Sequence, residues 1–269
     1  MNYVVFTDLD GTLIDHDTYS YEPAKPALEL LEKHNIPLII CTSKTRAEIE
    51  VYVKKLNSPH PFISENGGAI FIPKGYFDVD YDYTITYKNY NIIELGTEYP
   101  KLRQVLEDIK NSVDVEILGF GDLDDEDVSK DTGLDIESAR LAKMREYDEA
   151  FKVKGEDKNV ADRIIEIIKS HGLNYTRGGR YWHLIGDNDK GKAVKILSDI
   201  YEKQFENLQT VGLGDSLNDY PMLKSVDIPY LVQKPGGKHD DSITDIRINR
   251  IEGIGPKGWN QAIINLISG

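Results

Sequence analysis

Two aspartates, Asp8 and Asp10, follow the apolar run YVVF almost directly in the stretch FTDLDGT. Carboxylates at the end of a hydrophobic strand are costly unless a cation or water meets them. If the pleat persists through Asp10, the two side chains point to the same side, because side chains alternate along a strand. Gly11 then permits a sharp turn and a close approach of backbone to a ligand. Two such carboxylates can divide labour, one as nucleophile and metal ligand, the other as proton carrier. The same residues also suit a plain strand-closing turn, since Asp-Gly is a favoured turn pair.

Three further stretches bear on that choice. VGLGDSLNDYPML delivers Asp215 at the end of an apolar run, with Asn218 and Asp219 at the start of a helix. Magnesium takes a few carboxylate oxygens plus water and phosphate, so Asp215 suits a hard cation. A helix N-cap explains one acidic residue there but not the whole G-D-x-x-N-D cluster. CTSKT places the hydroxyl of Thr42 where it can donate to a phosphate oxygen. GDNDKGKAV nearly satisfies G-x-x-x-x-G-K-[ST] from Gly186 to Lys192. Ala193 stands where a hydroxyl would hold a metal, however, and Asp187 and Asp189 would repel a triphosphate. Lys190 suits a different task, neutralising a phosphoryl oxygen and an aspartate together. The acidic run DLDDED fails as a calcium loop, because its sixth and twelfth positions are Asp127 and Gly133. It reads as a solvated loop before a helix.

The elements that must position these residues alternate. Residues 3–7, 36–41 and 61–64 read as apolar strands, and 24–34 and 45–56 as helices between them. Strands apolar on both faces point to an α/β fold, a doubly wound parallel sheet covered by helices. Reactive residues in such sheets sit at the carboxyl ends of strands, where Asp8 and Thr42 fall. The rhythm then changes to a hairpin at 66–72, a tyrosine-rich strand-like stretch at 76–90 and a helix at 99–111. A strand at 115–120, helices at 135–147 and 159–170 and a strand at 181–185 follow. This section reads as an inserted α+β cap over 81–187, within a core formed by 1–80 and 188–269. The parallel pattern resumes with helix 190–202, strand 208–213, helix 219–225, strand 230–233 and a helix near 259–267.

A chain of 269 residues has room for a core and a second lobe. Its net charge of −14 disfavours nucleic acid and anionic membranes, which need a cationic face. A few local Arg and Lys side chains plus a divalent cation can still reverse the field in one cleft. No apolar run is long enough to span a bilayer and no basic, apolar leader is visible. The single cysteine, Cys41, has no internal disulfide partner, so a cytoplasmic location is expected.

Taken in order, D-x-D-G-T, a strand-end threonine, a lysine and G-D-x-x-N-D resemble the haloacid dehalogenase-type phosphatase superfamily. SENGG and the inserted lobe resemble its larger-cap branch, which includes sucrose phosphatases and phosphomannomutases. SKTRAE, PFISENGGAIFIPKGYF, AKMREYDEAF and TRGGRYWHLIG with DKGKAV resemble the mannosyl-3-phosphoglycerate phosphatase family. The resemblance implies that Asp8 attacks phosphorus to form an aspartyl-phosphate, while Asp10 protonates the departing oxygen and then activates water. It implies Mg2+ held by the Asp8 carboxylate, the Asp10 carbonyl and Asp215, with Asn218 and Asp219 tuning the shell. Thr42 and Lys190 would stabilise charge on the transferring group.

The implied substrate is a small phosphorylated glycoside carrying a carboxylate. Its carboxylate wants an arginine fork and its sugar wants hydrogen-bonding side chains. Candidates are Lys44, Arg46, Glu65, Asn66, Arg145, Glu146, Arg177, Gly178, Gly179, Arg180 and His183. Each arginine also suits a solvated surface, and His183, alternating with Tyr181, also suits a packed core. One rival is another sugar-phosphate phosphatase of the same branch, acting on glucosyl-3-phosphoglycerate or sucrose phosphate, or a phosphomannomutase, which would need a bisphosphate activator. A phospho-receiver is another, but receivers are single small domains without an inserted lobe.

Overall fold

The computed structural model describes residues 2–177 and 181–268. Along the chain, β1 (Asn2–Thr7), α1 (Lys25–Lys33), β2 (Leu38–Cys41), α2 (Arg46–Lys55) and β3 (Phe62–Ser64) form the expected alternation. β4 (Ala69–Pro73), β5 (Ile85–Tyr87) and β6 (Tyr90–Glu94) follow as antiparallel strands. The next stretch holds α3 (Tyr99–Lys110), β7 (Ile117–Gly119), α4 (Asp125–Thr132), α5 (Ile136–Ala142), β8 (Asp148–Val153), α6 (Lys158–Ser170), β9 (Asn174–Arg177) and β10 (Trp182–Ile185). The chain finishes with α7 (Lys190–Gln204), β11 (Leu208–Gly214), α8 (Tyr220–Lys224), β12 (Ile228–Gln233), β13 (Asn249–Ile254) and α9 (Pro256–Ser268).

The large sheet runs β13-β12-β11-β1-β2-β3-β4-β6-β5. Its strands from β13 through β3 are parallel. Strand alternation explains why they are apolar on both faces. Val5, Leu38 and Ile40 pack toward α1 and α9, against Ala27, Leu31, Trp259 and Ile263. Val4, Phe6, Ile39 and Cys41 pack the other way, against Val194 and Leu197 of α7 and Met222 and Leu223 of α8. β1 lies between β2, reached through the first crossover, and β11, reached only after the inserted segment. That reversal of strand order opens a crevice at the carboxyl ends of β1 and β11.

A second, antiparallel sheet runs β7-β8-β10-β9. One face is covered by α3 and α6 through Leu102, Leu106, Ile164 and Ile168. The other carries the smaller cluster of Phe120, Val128, Ala139, Ala142 and Ala150 beneath α4 and α5.

Several elements differ from the sequence reading. The expected lobe start at residue 81 precedes β5 and β6, which extend the large sheet, β6 pairing with β4 and β5 with β6. Tyr76 and Tyr81 accordingly pack with the large sheet's core, while Tyr83 and Tyr87 are exposed. The helix expected over 135–147 stops at Ala142, and the buried strand β8 begins at Asp148. The acidic run enters α4, which Asp124 caps and left-handed Gly133 closes. β9 and β13 carry too few apolar residues to announce themselves. No helix among the described residues is long and apolar enough to cross a membrane.

Candidate active site

Asp8 follows the last residue of β1, its amide bonded to the carbonyl of Leu213 on β11, and its side chain is buried. Asp215 follows β11 directly. Side-chain oxygens of Asp8, Asp215 and Asp219 lie within 4.8 Å of one another. Lys190, the first residue of α7, reaches between them: its Nζ is 2.7 Å from Asp8 Oδ1 and 2.6 Å from Asp219 Oδ1. The ammonium is almost wholly buried, which alone would lower its pKa. Asp219 and Asp8 outweigh that effect and hold it above the ordinary lysine range.

Three carboxylates facing one ammonium leave an excess of two negative charges. Burial pushes Asp8 up to about 7, Lys190 opposing and the charges of Asp219 and Asp10 adding to it. Burial likewise drives Asp215 well above its ordinary value, with Asp219 and Asp8 reinforcing the effect. A divalent cation removes the conflict by inverting the local electrostatics. The donor set therefore fits a hard cation. Space fits as well, since a Cβ on Gly11 would lie 3.1 Å from Asp215 Oδ2, and Gly11 sits at φ +77°. Asp219 is already committed: Oδ1 takes Lys190, and Oδ2 accepts the amides of Asp215 and Ser216 at 3.0 and 3.1 Å. Its role is to hold Lys190 and the turn that carries Asp215. The Ser216 hydroxyl bridges Asn218 Oδ1 at 2.6 Å and Asp215 Oδ1 at 3.1 Å. Asn218 thus stands one hydroxyl away from Asp215.

The Asp10 carboxylate turns away from this trio. Oδ2 pairs with Lys44 Nζ at 2.9 Å, and Oδ1 is buried without a hydrogen-bond partner among the described residues. Burial depresses the Lys44 ammonium, but Asp10 and Glu48 reverse the shift and raise its pKa. Thr42 is fully buried just beyond β2, its hydroxyl oxygen 3.4 Å from the Lys44 amide. The O–H remains a donor.

Beside Asp10 lies a cleft of about 300 Å³. His16, Tyr19, Ser43, Lys44 and Glu48 line its core side, and Phe120, Leu134, Arg145, Tyr181 and His183 its lobe side. Arg145, Lys44 and His183 thus line one cleft. Arg145 donates to the carbonyls of Ser43 and Ala142 at 3.0 Å each and reaches Asp148 at 3.5 Å.

Other expected substrate contacts are engaged elsewhere. The Glu65 carboxylate accepts the amides of Glu146 and Tyr147, the latter at 2.7 Å, so it holds the loop before β8. Burial raises it to about 8 against the pull of Arg145. Glu65 and Asn66 both sit at positive φ, 47° and 56°, a strained conformation fixed by that hold. Asn66 donates to Asp148 at 2.9 Å. Arg46 spans Glu146 at 3.3 Å and Glu50 at 3.2 Å, joining α2 to the lobe rather than facing the cleft. Glu146 is its partner and is likewise occupied. Arg177 stacks on Trp182 and pairs with Glu156, away from the cleft lining. Gly178, Gly179 and Arg180 lie outside the described residues.

The sequence reading missed Glu48, Asp148, His16 and Tyr19. Glu48 had a visible signal, the T-x-x-E capping box that starts α2. Asp148 had none, because the expected helix ended one residue before it.

A model of the family described as haloacid dehalogenase-like hydrolase matches residues 5–234. The chain is 63% identical over 267 residues to a "Glucosyl-3-phosphoglycerate/mannosyl-3-phosphoglycerate phosphatase" of Methanococcoides burtonii, covering 99% of this chain and 98% of that one. It is 38% identical to a mannosyl-3-phosphoglycerate phosphatase of Pyrococcus horikoshii, over 90% of this chain and 96% of that one. Among solved structures, the sucrose-phosphatase of Synechocystis aligns over 99% of both chains with a TM-score of 0.64 and 16% identity. A Thermoplasma acidophilum protein aligns over 100% and 99% with a TM-score of 0.70 and 19% identity. These two likenesses show the fold.

Proposed function

The chain belongs to the haloacid dehalogenase-like hydrolase family, and from that premise we propose that it is a magnesium-dependent phosphatase of mannosyl-3-phosphoglycerate and its glucosyl counterpart. The observation that carries the reading is the meeting of Asp8, Asp215 and Asp219 around Lys190 at the strand ends of one crevice. The names of the relatives supply the substrate class.

In this mechanism an oxygen of the Asp8 carboxylate attacks phosphorus, and the bond from phosphorus to the glycerate oxygen breaks. The proton on Asp10 passes to that departing oxygen, leaving a free glycosylglycerate and an aspartyl-phosphate. Water then attacks phosphorus, Asp10 takes its proton, and the bond to Asp8 breaks to release phosphate. The unpartnered Asp10 Oδ1 is the site for both transfers. Lys190 favours the ionised form of Asp8 against its burial and meets the charge spread over the phosphoryl oxygens, and Thr42 donates to the same group. Magnesium, held by the carboxylates of Asp8 and Asp215 and the Asp10 carbonyl, would supply Lewis-acid polarisation of the phosphoryl group.

We assign the segment between β6 and α7 to substrate selection, since it forms one wall of the cleft beside Asp10. Arg145 and His183 are its recognition residues, facing Lys44 on the core side. A phosphate-release screen tests the function. It compares mannosyl- and glucosyl-3-phosphoglycerate with sucrose 6-phosphate and hexose phosphates. The two glycosyl-3-phosphoglycerates are expected to have the highest kcat/KM. Preference for sucrose 6-phosphate or a hexose phosphate would overturn the assignment.

A further inference from the structure

Asp148 is fully buried, and the phosphoryl-transfer scheme leaves it unused. It nevertheless touches both recognition residues of the lobe wall. His183 Nδ1 lies 2.9 Å from each of its oxygens, and an Arg145 guanidinium nitrogen lies 3.5 Å from Oδ1. The β-ladder explains the arrangement. Asp148 stands opposite Ile185 and Ala150 opposite His183, so Asp148 and His183 are diagonal neighbours on one face of the small sheet. Ala150, opposite the imidazole, lines the cleft with it.

We propose that Asp148 is a positioning residue that fixes His183 with its proton on Nδ1, offering Nε2 as a hydrogen-bond acceptor to a hydroxyl of the substrate's sugar. This inference rests on the glycosyl-3-phosphoglycerate reading. An ionised carboxylate can only accept, so the imidazole nitrogen facing it must carry hydrogen. Asp148 stays ionised despite complete burial. His183 and Arg145 lower its pKa, and Asn66 donates to its Oδ2 at 2.9 Å. In the neutral imidazole Nε2 then has a lone pair on the residue that lines the cleft, which suits an O–H donor; an imidazolium, with hydrogen on both nitrogens, would overturn the proposal. A carboxamide at position 148 presents a donor as well as an acceptor, so it no longer dictates the tautomer. The same logic governs any histidine whose orientation is set by a second group.

Two measurements test this. Long-range ¹⁵N–¹H correlation spectra of the full-length protein, with the His183 signal assigned by its loss in His183→Gln, are expected to show an Nδ1–H tautomer. In Asp148→Asn the Nε2–H form should gain population. The second measurement is the ratio of kcat/KM for mannosyl-3-phosphoglycerate to that for p-nitrophenyl phosphate, which has no sugar. That ratio should fall roughly 10- to 100-fold in both Asp148→Asn and His183→Ala, the loss expected for one buried hydrogen bond. His183→Gln, whose amide oxygen can still accept, should recover part of it. Equal losses on both substrates would mark Asp148 as merely structural and overturn the proposal, as would an Nε2–H tautomer in the unmutated protein. Should Asp148→Asn fail to fold, the His183 pair and the wild-type spectrum still decide the matter. Absence of any activity on glycosyl-3-phosphoglycerates would instead defeat the functional reading, while the tautomer comparison would still judge the hold of Asp148 on His183.

Discussion

At the residue scale the site is a problem in buried charge, and each acidic group has a distinct answer to it. Among the described residues, Asp219 is satisfied by Lys190 and two amides, Asp10 by Lys44 on one oxygen, and Asp8 by Lys190. Asp215 receives hydroxyl donors, from Thr12 at 3.4 Å and Ser216 at 3.1 Å. Asp8→Asn should therefore remove the nucleophile while keeping the shape. Phosphate release should drop by about 10⁴-fold or more, with an unchanged circular-dichroism spectrum. Asp10→Asn should cost roughly 10²–10⁴-fold on glycosyl-3-phosphoglycerates, the usual worth of a positioned acid–base group. On p-nitrophenyl phosphate, whose leaving group needs no proton, formation of the aspartyl-phosphate should be far less affected, while its hydrolysis, which also uses Asp10, should still be slowed. Lys190→Met leaves Asp8 and Asp219 buried without their cation. A loss of about 3–5 kcal/mol in unfolding free energy is expected by chemical denaturation, and a stability equal to wild type would contradict the charge account. Asp8, Asp10 and Asp215 were legible because short motifs announce them just after apolar strands, and Lys190 because it opens a helix. Arg46, Glu65 and Arg177 were misplaced because a sequence does not show which charges are consumed by partners inside the protein.

At the element scale, the strands that lead into the candidate catalytic residues were readable, and in the small sheet β7 and β10 were readable while β8 was not. β1, β2 and β11 are apolar on both faces, and each is followed directly by a polar residue of the candidate site, Asp8, Thr42 and Asp215. β8 reads DEAFKV, with two acidic residues at buried positions, so no periodicity marks it as a strand. Glu149 there is buried against Arg103 at 2.6 Å, a long-range pairing invisible in the local pattern. The hold of Glu65 on the loop before β8 has a pH signature. Its carboxyl is raised from an ordinary 4.5 to about 8, so the folded state keeps a proton that the unfolded chain has already lost between those values. That contribution to stability is present at low pH and declines as pH rises through the window. Melting temperatures of wild type and Glu65→Gln should be compared from pH 5 to 8. The wild type should lose ground to the variant as pH rises, and parallel curves would contradict the assignment.

At the scale of the whole molecule, one insertion divides the labour. The large sheet brings residues 8, 190 and 215 together from distant parts of the chain, and the small sheet contributes the opposite wall of the cleft. The alternation of strands and helices made the large sheet legible. The boundary at 81 was not, because the hairpin β5–β6 extends the large sheet by antiparallel pairing, which looks locally like any other hairpin. A net charge of −14 makes the divalent cation the natural means of admitting an anionic ester to an acidic crevice. Chelation with EDTA should silence phosphate release and added magnesium should restore it; full activity in EDTA would remove the metal from the account. The most direct test of the central claim is to trap the phosphoryl group in transit. Enzyme turning over mannosyl-3-phosphoglycerate is quenched in acid, reduced with borohydride and mapped by peptide mass spectrometry. Homoserine is expected in place of aspartate at residue 8. Efficient turnover with no modified aspartate, or with the modification at another residue, would contradict it.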